Sequence, residues 1–186
     1  LEPHSAVSNI VQQGGTILKS SRCPRFYDQD ERVKAHRALR KEGVEGLIAL
    51  GGDGTLQGLH HLIEETGFPG VGIPATIDND LYGSDQTIGF DTAVNTALEA
   101  IDRIRDTAGS HQRIFFVEVM GRDYGHIALA VGIAGGADAI LLPETETNLE
   151  QLARQLQEGK RLGSLSNIVI VSEGDEAGGA LETAAK

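Results

Sequence analysis

Residues 46–55 read Gly-Leu-Ile-Ala-Leu-Gly-Gly-Asp-Gly-Thr, and this stretch decides the fold class. Its first half is a compact apolar run, typical of a strand, and its glycines predict a turn. Leu56, Leu59 and Ile63 follow at helical spacing, so the order is strand, glycine turn, helix. This order gathers backbone N–H groups and the positive end of a helix dipole at one point, which suits a phosphate group.

The same alternation of apolar segments and helical patterns extends along the chain. Six strands are predicted, beginning near Thr16, Gly46, Gly70, Ile114, Ala139 and Asn167. Helices are predicted over residues 28–42, 90–104, 124–134 and 148–160, with the last turns of another over 5–13. Because glycine-rich or charged loops follow the strands, the pattern predicts an α/β fold with parallel sheets and a seam between residues 85 and 90.

Composition narrows the possible functions. The chain of 186 residues has 40% hydrophobic and 23% charged residues, which is typical of a globular protein. Its net charge of −11 argues against non-specific nucleic-acid binding, and no apolar run reaches membrane-spanning length. Cys23 is the single cysteine, so an internal disulfide is excluded and a reducing, cytoplasmic location is expected.

A second acidic loop follows the next predicted strand. Residues 74–80 read Pro-Ala-Thr-Ile-Asp-Asn-Asp, and a catalytic loop and a solvated turn both fit this composition. In the first loop, Asp53 would repel a polyphosphate unless a cation lay between them, which suggests a Mg²⁺ bridge to a nucleotide. A plain Asp-Gly turn remains the alternative there.

Other common chemistries lack their sequence patterns. The glycine turn has no lysine at P-loop spacing, the six histidines form no zinc-ligand pattern, and no G-x-S-x-G element is present. Carboxylates able to hold Mg²⁺, a loop with a hydroxyl group and scattered arginines suit phosphoryl transfer.

Five segments closely resemble the bacterial ATP-dependent 6-phosphofructokinases: residues 51–55, 74–80, 87–90 (Thr-Ile-Gly-Phe), 111–113 (His-Gln-Arg) and 120–122 (Met-Gly-Arg). They occur in the family's order, and the resemblance covers essentially the whole chain. The Gly-Gly-Asp-Gly element alone is shared with NAD kinases and lipid kinases. Thr-Ile-Asp-Asn-Asp followed by Met-Gly-Arg is highly specific.

The resemblance implies MgATP-dependent phosphorylation of fructose 6-phosphate on its 1-hydroxyl, the committed step of glycolysis, with these site residues. The catalytic set is Asp78 as base, with Arg22, Thr76, Asp80 and Arg122. The ATP site is Arg22, Cys23, Gly52, Asp53, Gly54 and Thr55. The sugar-phosphate site is Thr76, Ile77, Asp78, Arg113, Met120, Gly121, Arg122 and Glu173. The Mg²⁺ ligands are Asp53 and Asp80, and effector positions are Arg105, Gly136 and Asp138.

The resemblance also implies an assembly and a division of the chain. The family is a homotetramer in which Arg113 would reach a neighbouring subunit's active site. Two doubly wound parallel-sheet domains are expected, with residues 1–88 belonging to the ATP and Mg²⁺ domain and residues 89–186 to the fructose 6-phosphate domain. The family's N-terminal nucleotide loop and C-terminal part have no counterpart here, so we expect a fragment that is inactive alone. The N-terminal arginines of the effector site are also absent.

Two alternatives remain open from the sequence. A pyrophosphate-dependent phosphofructokinase typically has Asp at the position of Gly54 and Lys at that of Ala75, and neither is present. A non-catalytic regulatory half that binds a sugar phosphate or nucleotide would usually lack the base, whereas Asp78 is present.

Overall fold

The structure, a computed structural model, describes residues 8–17, 19–111, 113–164 and 167–175. A short 3₁₀ helix (Pro24–Tyr27) precedes five α-helices and five strands in the described ranges. In chain order they are α1 (Gln29–Lys41), β1 (Leu47–Gly51), α2 (Asp53–Thr66), β2 (Gly70–Pro74), α3 (Phe90–His111), β3 (Ile114–Val119), α4 (His126–Ala134), β4 (Ala139–Leu141), α5 (Leu149–Arg161) and β5 (Asn167–Ser172).

The chain divides into two compact units: Leu1–Leu47 with His60–Pro69, and Ile48–Leu59 with Gly70–Lys186. In the first unit, the side chain of Asp28 caps α1 by accepting from the N–H of Asp30 at 2.7 Å. This division does not test the predicted domain boundary at residues 88 and 89, which stays a prediction.

Phe68 is the fully buried centre of the first unit. The ring of His36 packs edge-on against the ring of Phe68, with 5.2 Å between the two ring centroids. The guanidinium of Arg40 lies 5.1 Å from the centroid of the Phe68 ring. Arg32, only 7% exposed, donates to both carboxylate oxygens of Glu65 and to a backbone carbonyl. This ion pair joins α1 to the part of α2 in this unit.

β1 and β2 form a two-stranded sheet. The N–H of Leu47 donates to the carbonyl of Pro69 at 2.9 Å, and that of Ala75 donates to Gly51 at 3.0 Å. Because the pairing advances in the same direction on both strands, they run parallel. Their carboxyl ends, and the loops that follow, therefore emerge at the same edge.

The second sheet is parallel with strand order β3-β5-β4. All six residues of β5 are buried, because helices cover both of its faces. Ile168 and Ile170 pack with residues of α3 and α4, whereas Val169 and Val171 pack with Leu152 and other α5 residues. Helices on both faces of a parallel sheet confirm the predicted α/β class.

Two local predictions near the N-terminus are wrong. Thr16 and Ile17 are not in a strand, and residues 8–13 form turns rather than helix. The remainder of these predictions, Leu18 and residues 5–7, lies outside the described residues. The five other strands and the five later helices occur near their predicted positions. No helix in the described ranges combines the length and hydropathy that crossing a membrane requires.

Candidate active site

The two acidic loops predicted from the sequence meet in the structure. The loop after β1 approaches the loop after β2 so closely that a β-carbon built on Gly52 would lie 3.3 Å from the β-carbon of Thr76. The Ala75–Gly51 backbone hydrogen bond joins the same segments. The parallel pairing of β1 and β2 therefore brings both loops to one place.

Asp53 is the first residue of α2, where a carboxylate interacts favourably with the helix dipole. It is exposed, and its Oδ2 accepts from Nε2 of Gln57 at 2.7 Å. A β-carbon on the neighbouring Gly54 would meet nothing within 4 Å, so the turn is open at that position. The exposed helix start leaves room for a large anionic ligand.

Asp78 is a buried carboxylate, 7% exposed, in the loop after β2. Its backbone N–H donates to Oγ1 of Thr76 at 3.3 Å. Burial raises the pKa of the Asp78 carboxyl, and the charges of Asp80 and Glu173 raise it further, whereas hydrogen bonding with Thr76 and the charge of Arg122 lower it. The net effect is a carboxylate with greater proton affinity than an ordinary aspartate.

The loop after β3 carries the cation that faces Asp78. Nε of Arg122 lies 4.0 Å from Oδ2 of Asp78. The backbone of Arg122 is left-handed, with φ of 53°. Oε1 of Glu173, from the loop after β5, accepts from the N–H groups of Arg122 at 2.6 Å and Gly121 at 3.2 Å. The loops after β2, β3 and β5 thus contribute to one cluster.

Asp80 contributes an unsatisfied oxygen to this cluster. Its Oδ1 is buried, and the described structure gives it no hydrogen-bond partner. A buried carboxylate oxygen without a donor is costly unless a cation or another ligand satisfies it. No group of three or more metal-ligating His, Cys, Asp or Glu side chains occurs among the described residues. A Mg²⁺ ion held by one or two carboxylates and substrate phosphates does not need such a group.

The other predicted site residues lie in several places. Arg22 and Cys23 belong to the first unit, where both are exposed just before the 3₁₀ helix. Met120 directly follows β3 and is 60% exposed, whereas Ile77 packs against the core of the second unit. Arg113 precedes β3, at the opposite end of the strand from Arg122.

The predicted effector residues make contacts within the protein. Nη2 of Arg105 donates to the carbonyls of Gly135 and Gly136, beside the end of α4. Oδ2 of Asp138 accepts from the N–H of Ile168 at 2.8 Å, at the start of β4. The Arg105 side chain therefore binds the backbone just after α4, and the Asp138 side chain, just before β4, binds the backbone of β5.

Sequence reasoning gave no role to Asn79 or Thr87. Asn79 has a left-handed backbone with φ of 54°, and its Oδ1 accepts from the N–H of Thr87 at 2.9 Å. Both residues belonged to the segments that carry the family resemblance, and asparagine tolerates positive φ. Their pairing across eight positions gave no local signal.

The chain is similar to known proteins over its whole length. The phosphofructokinase family profile matches residues 1–186. The chain is 58% identical over 174 residues to ATP-dependent 6-phosphofructokinase 1 of Thermus thermophilus, covering 94% of this chain and 54% of that protein. It is 51% identical over 178 residues to ATP-dependent 6-phosphofructokinase 2 of Bacteroides thetaiotaomicron, covering 96% of this chain and 55% of that protein. The chain thus spans about half the length of the curated relatives it matches.

Solved structures give the same family at lower identity. Phosphofructokinase from Saccharomyces cerevisiae matches with a TM-score of 0.77 and 34% identity, over 87% of this chain and 25% of that one. Pyrophosphate-dependent phosphofructokinase from Marinobacter aquaeolei matches with a TM-score of 0.76 and 28% identity, over 94% of this chain and 47% of that one. With its parallel α/β fold, its clustered acidic loops and these matches, the chain belongs to the phosphofructokinase family.

Proposed function

We propose that the intact protein transfers the γ-phosphoryl group of MgATP to the 1-hydroxyl of fructose 6-phosphate, giving fructose 1,6-bisphosphate. The observation that carries this proposal is the buried Asp78 carboxylate, 4.0 Å from Nε of Arg122 where three strand-end loops meet. A carboxylate for the hydroxyl proton and an arginine for the moving negative charge are what phosphoryl transfer to an alcohol requires.

Asp78 would act as the general base. Its carboxylate would accept the proton of the sugar 1-hydroxyl as the oxygen attacks phosphorus, and its raised pKa improves it as an acceptor. Because the transition state of phosphoryl transfer is loose, the proton can move late, and only modest basicity is required. Thr76, whose hydroxyl accepts from the N–H of Asp78, would hold the carboxylate in position.

Two arginines would stabilise the charge that develops during transfer. Arg122 already faces the base, and Arg22 would act on the transferred group. The exposure of Arg22 leaves its guanidinium accessible to a polyphosphate.

Asp53 and Asp80 would hold Mg²⁺. The buried, unpartnered Oδ1 of Asp80 and the exposed carboxylate of Asp53 at the start of α2 fit an oxygen-preferring divalent cation. When bound, the ion neutralises phosphate charge and orients the donor.

The remaining site residues would bind the two substrates. Gly52 directly precedes α2, and Gly54 and Thr55 lie in its first turn. These three residues would contact the ATP phosphates, together with Arg22 and Cys23. The sugar phosphate would contact Thr76, Ile77, Met120, Gly121, Arg122 and Glu173. The exposure of Met120 and Arg122 on one loop supports this second role.

Arg113 would serve the active site of a neighbouring subunit in a homotetramer. It lies before β3 and Arg122 lies after it, so the six residues of the strand separate them by roughly 20 Å. The two side chains therefore start from opposite ends of the strand, which supports a role for Arg113 away from the active site of its own chain. Co-expression of Asp78→Asn with Arg113→Ser subunits would restore some active sites if Arg113 acts between subunits, because some sites would receive both native residues. Restoration would not occur if both residues act within one chain.

The proposal also includes a domain boundary, a cellular location and an effector site. Residues 1–88 would belong to the nucleotide domain and 89–186 to the sugar-phosphate domain, in a cytoplasmic enzyme. Arg105, Gly136 and Asp138 would line an effector site, although Arg105 and Asp138 already bond to backbone groups.

The donor and the reaction are tested together with the intact gene product. Fructose 1,6-bisphosphate formation is measured with fructose 6-phosphate and either MgATP or Mg-pyrophosphate. We expect ATP to be used, because the relatives at 51–58% identity are named ATP-dependent, whereas the pyrophosphate-dependent protein from Marinobacter aquaeolei is 28% identical. Activity with pyrophosphate alone would support the alternative donor, and binding of substrates without turnover would support a regulatory half.

The base assignment has its own variants. Asp78→Asn should lower kcat by roughly 10²–10⁴-fold while fructose 6-phosphate binding stays measurable. Asp102→Asn, which changes an exposed carboxylate on α3, serves as the matched control. Near-normal turnover of Asp78→Asn would contradict the proposal.

A further inference from the structure

Thr87 forms hydrogen bonds on both sides of the proposed base. It is 3% exposed, and its Oγ1 donates to the backbone carbonyl of Thr76 at 2.7 Å. Its backbone N–H donates to Oδ1 of Asn79 at 2.9 Å, and that oxygen also lies 3.2 Å from Oγ1 of Thr87. One buried residue therefore bonds to the residue two positions before Asp78 and to the residue directly after it.

The segment that Thr87 holds would not keep this shape by local preference alone. Asn79 has φ of 54°, a left-handed conformation that asparagine adopts more readily than most residues but less readily than right-handed or extended backbone. The side-chain oxygen of Asn79 is used to bind Thr87, so the unusual backbone and the hydrogen bond occur together. The next residue, Ile88, donates its N–H to the carbonyl of Pro74 at 3.0 Å, which closes the loop at the end of β2.

We propose that Thr87 is a positioning residue, which holds residues 76–79 so that the carboxylate of Asp78 stays buried and faces Arg122. Thr87 acts through Thr76 and Asn79 and contacts no reactant. The inference rests on the proposed phosphoryl transfer for its effect on rate, but the hydrogen bonds themselves can be tested without activity.

Loss of the hydroxyl should affect turnover more than substrate binding. The carbonyl of Thr76 would lose its buried donor, and the loop would relax toward a partner in water. A displacement of about 1 Å in a catalytic group can lower the rate by on the order of 10²-fold. Of the proposed sugar-phosphate contacts, Thr76 and Ile77 lie on the loop that Thr87 holds, whereas Met120, Arg122 and Glu173 lie on other loops and would remain, so binding should change less than turnover.

The test compares variants of the intact gene product. Thr87→Val, which keeps the shape and removes the hydroxyl, should lower kcat by roughly ten- to a hundred-fold and change KM for fructose 6-phosphate by less than about three-fold. Thr87→Ser, which keeps the hydroxyl, should retain most of the turnover. Thr96→Val is the matched control, because Thr96 is an exposed threonine whose Oγ1 bonds only within α3, to Thr92 at 2.8 Å.

Two outcomes would overturn the proposal: kcat of Thr87→Val within about three-fold of the unmodified enzyme, or an equal loss in Thr87→Ser and Thr87→Val. If Thr87→Val does not fold, Asn79→Gly decides. Glycine accepts the positive φ of this position and removes only the side chain that binds Thr87. A fall in kcat of about ten-fold or more in Asn79→Gly supports the proposal, and unchanged turnover contradicts it.

Hydrogen exchange separates this inference from the proposed function. The backbone amides of Asp78 and Thr87 should exchange faster in Thr87→Val than in the unmodified protein or in Thr96→Val. If the unmodified protein transfers no phosphoryl group, the proposed function fails, yet faster exchange still supports the positioning role. Unchanged exchange contradicts the positioning role whatever the activity.

Discussion

Asn79 and Arg122 share a left-handed backbone, with φ of 54° and 53°, and both adjoin Asp78, one along the chain and the other across 4.0 Å of space. Asn79 directly follows Asp78, and Arg122 faces it from another loop. Each is held by a distant segment, Asn79 by Thr87 and Arg122 by Glu173. Strained backbone supported in this way is typical of functional sites, where it fixes the direction of side chains.

Glu173 should matter chiefly as an acceptor for the backbone of the Arg122 loop. Glu173→Gln keeps a side-chain oxygen for the N–H groups of Gly121 and Arg122, so we expect most of the fructose 6-phosphate affinity to remain. Glu173→Ala removes this acceptor, so the two backbone N–H groups lose their hydrogen-bond partner. We expect kcat/KM to fall by an amount equivalent to about 1–3 kcal/mol of transition-state stabilisation. Steady-state kinetics of both variants of the intact enzyme provide the measurement. Equal losses in the two would instead indicate that the negative charge acts on the substrate.

Nucleotide binding should depend on Mg²⁺ through Asp53. Without the metal, the carboxylate repels the polyphosphate, so Asp53→Asn should bind ATP better than the unmodified protein in the absence of Mg²⁺ and gain less when Mg²⁺ is added. ATP titrations with and without the metal measure both quantities. Asp91→Asn is a matched control, since Asp91 is an exposed carboxylate in the first turn of α3. The same Mg²⁺ dependence in Asp53→Asn and the unmodified protein would remove Asp53 from the metal site.

The donor preference should respond to charge at Gly54. A β-carbon there meets nothing within 4 Å, so Gly54→Asp has room and its effect comes from charge. A second negative charge beside the phosphates should weaken ATP use by about 1–4 kcal/mol, or at least about five-fold in kcat/KM. Gly54→Asn controls for side-chain size.

Ala75→Lys alone should not create an efficient pyrophosphate-dependent enzyme, because the lysine adds electrostatic attraction for pyrophosphate but no additional space. Initial rates with each donor test both expectations, and equal effects of Asp and Asn at residue 54 would exclude the electrostatic explanation.

The stability of the first unit should depend on pH through Glu65. Hydrogen bonds from Arg32 hold the pKa of Glu65 below its ordinary value. A carboxyl group whose pKa is lower in the folded state stabilises that state at pH values above its pKa in the unfolded state. This contribution is lost as the pH falls through the folded-state pKa. Glu65→Gln should therefore lower Tm at pH 7, and the difference from the unmodified protein should shrink as pH falls below about 4.5. Glu64→Gln, at an exposed neighbour, should show no such convergence. A Tm difference that is independent of pH would exclude the ion pair as its cause.

Local patterns in the sequence were sufficient for most elements of the fold. β1, β2 and α3 occur where apolar periodicity and glycine or proline punctuation predict them, and α1 lies within the predicted helix over residues 28–42. The same reasoning was wrong at Thr16 and Ile17, where a short segment resembles a strand. A strand requires a hydrogen-bonded neighbour, and a short run carries no information about whether one is available.

The sequence by itself determined the family, the α/β class and the acidic and arginine-containing loops, because these are properties of adjacent residues. Only the tertiary structure decided that Asp78 is buried, that Arg122 faces it across 4.0 Å, and that Thr87 and Glu173 hold the two left-handed residues beside it. Burial, with the raised pKa it causes, is a property of everything that surrounds a side chain. Those surroundings come from loops up to almost a hundred residues apart, which follow the carboxyl ends of strands in two separate sheets.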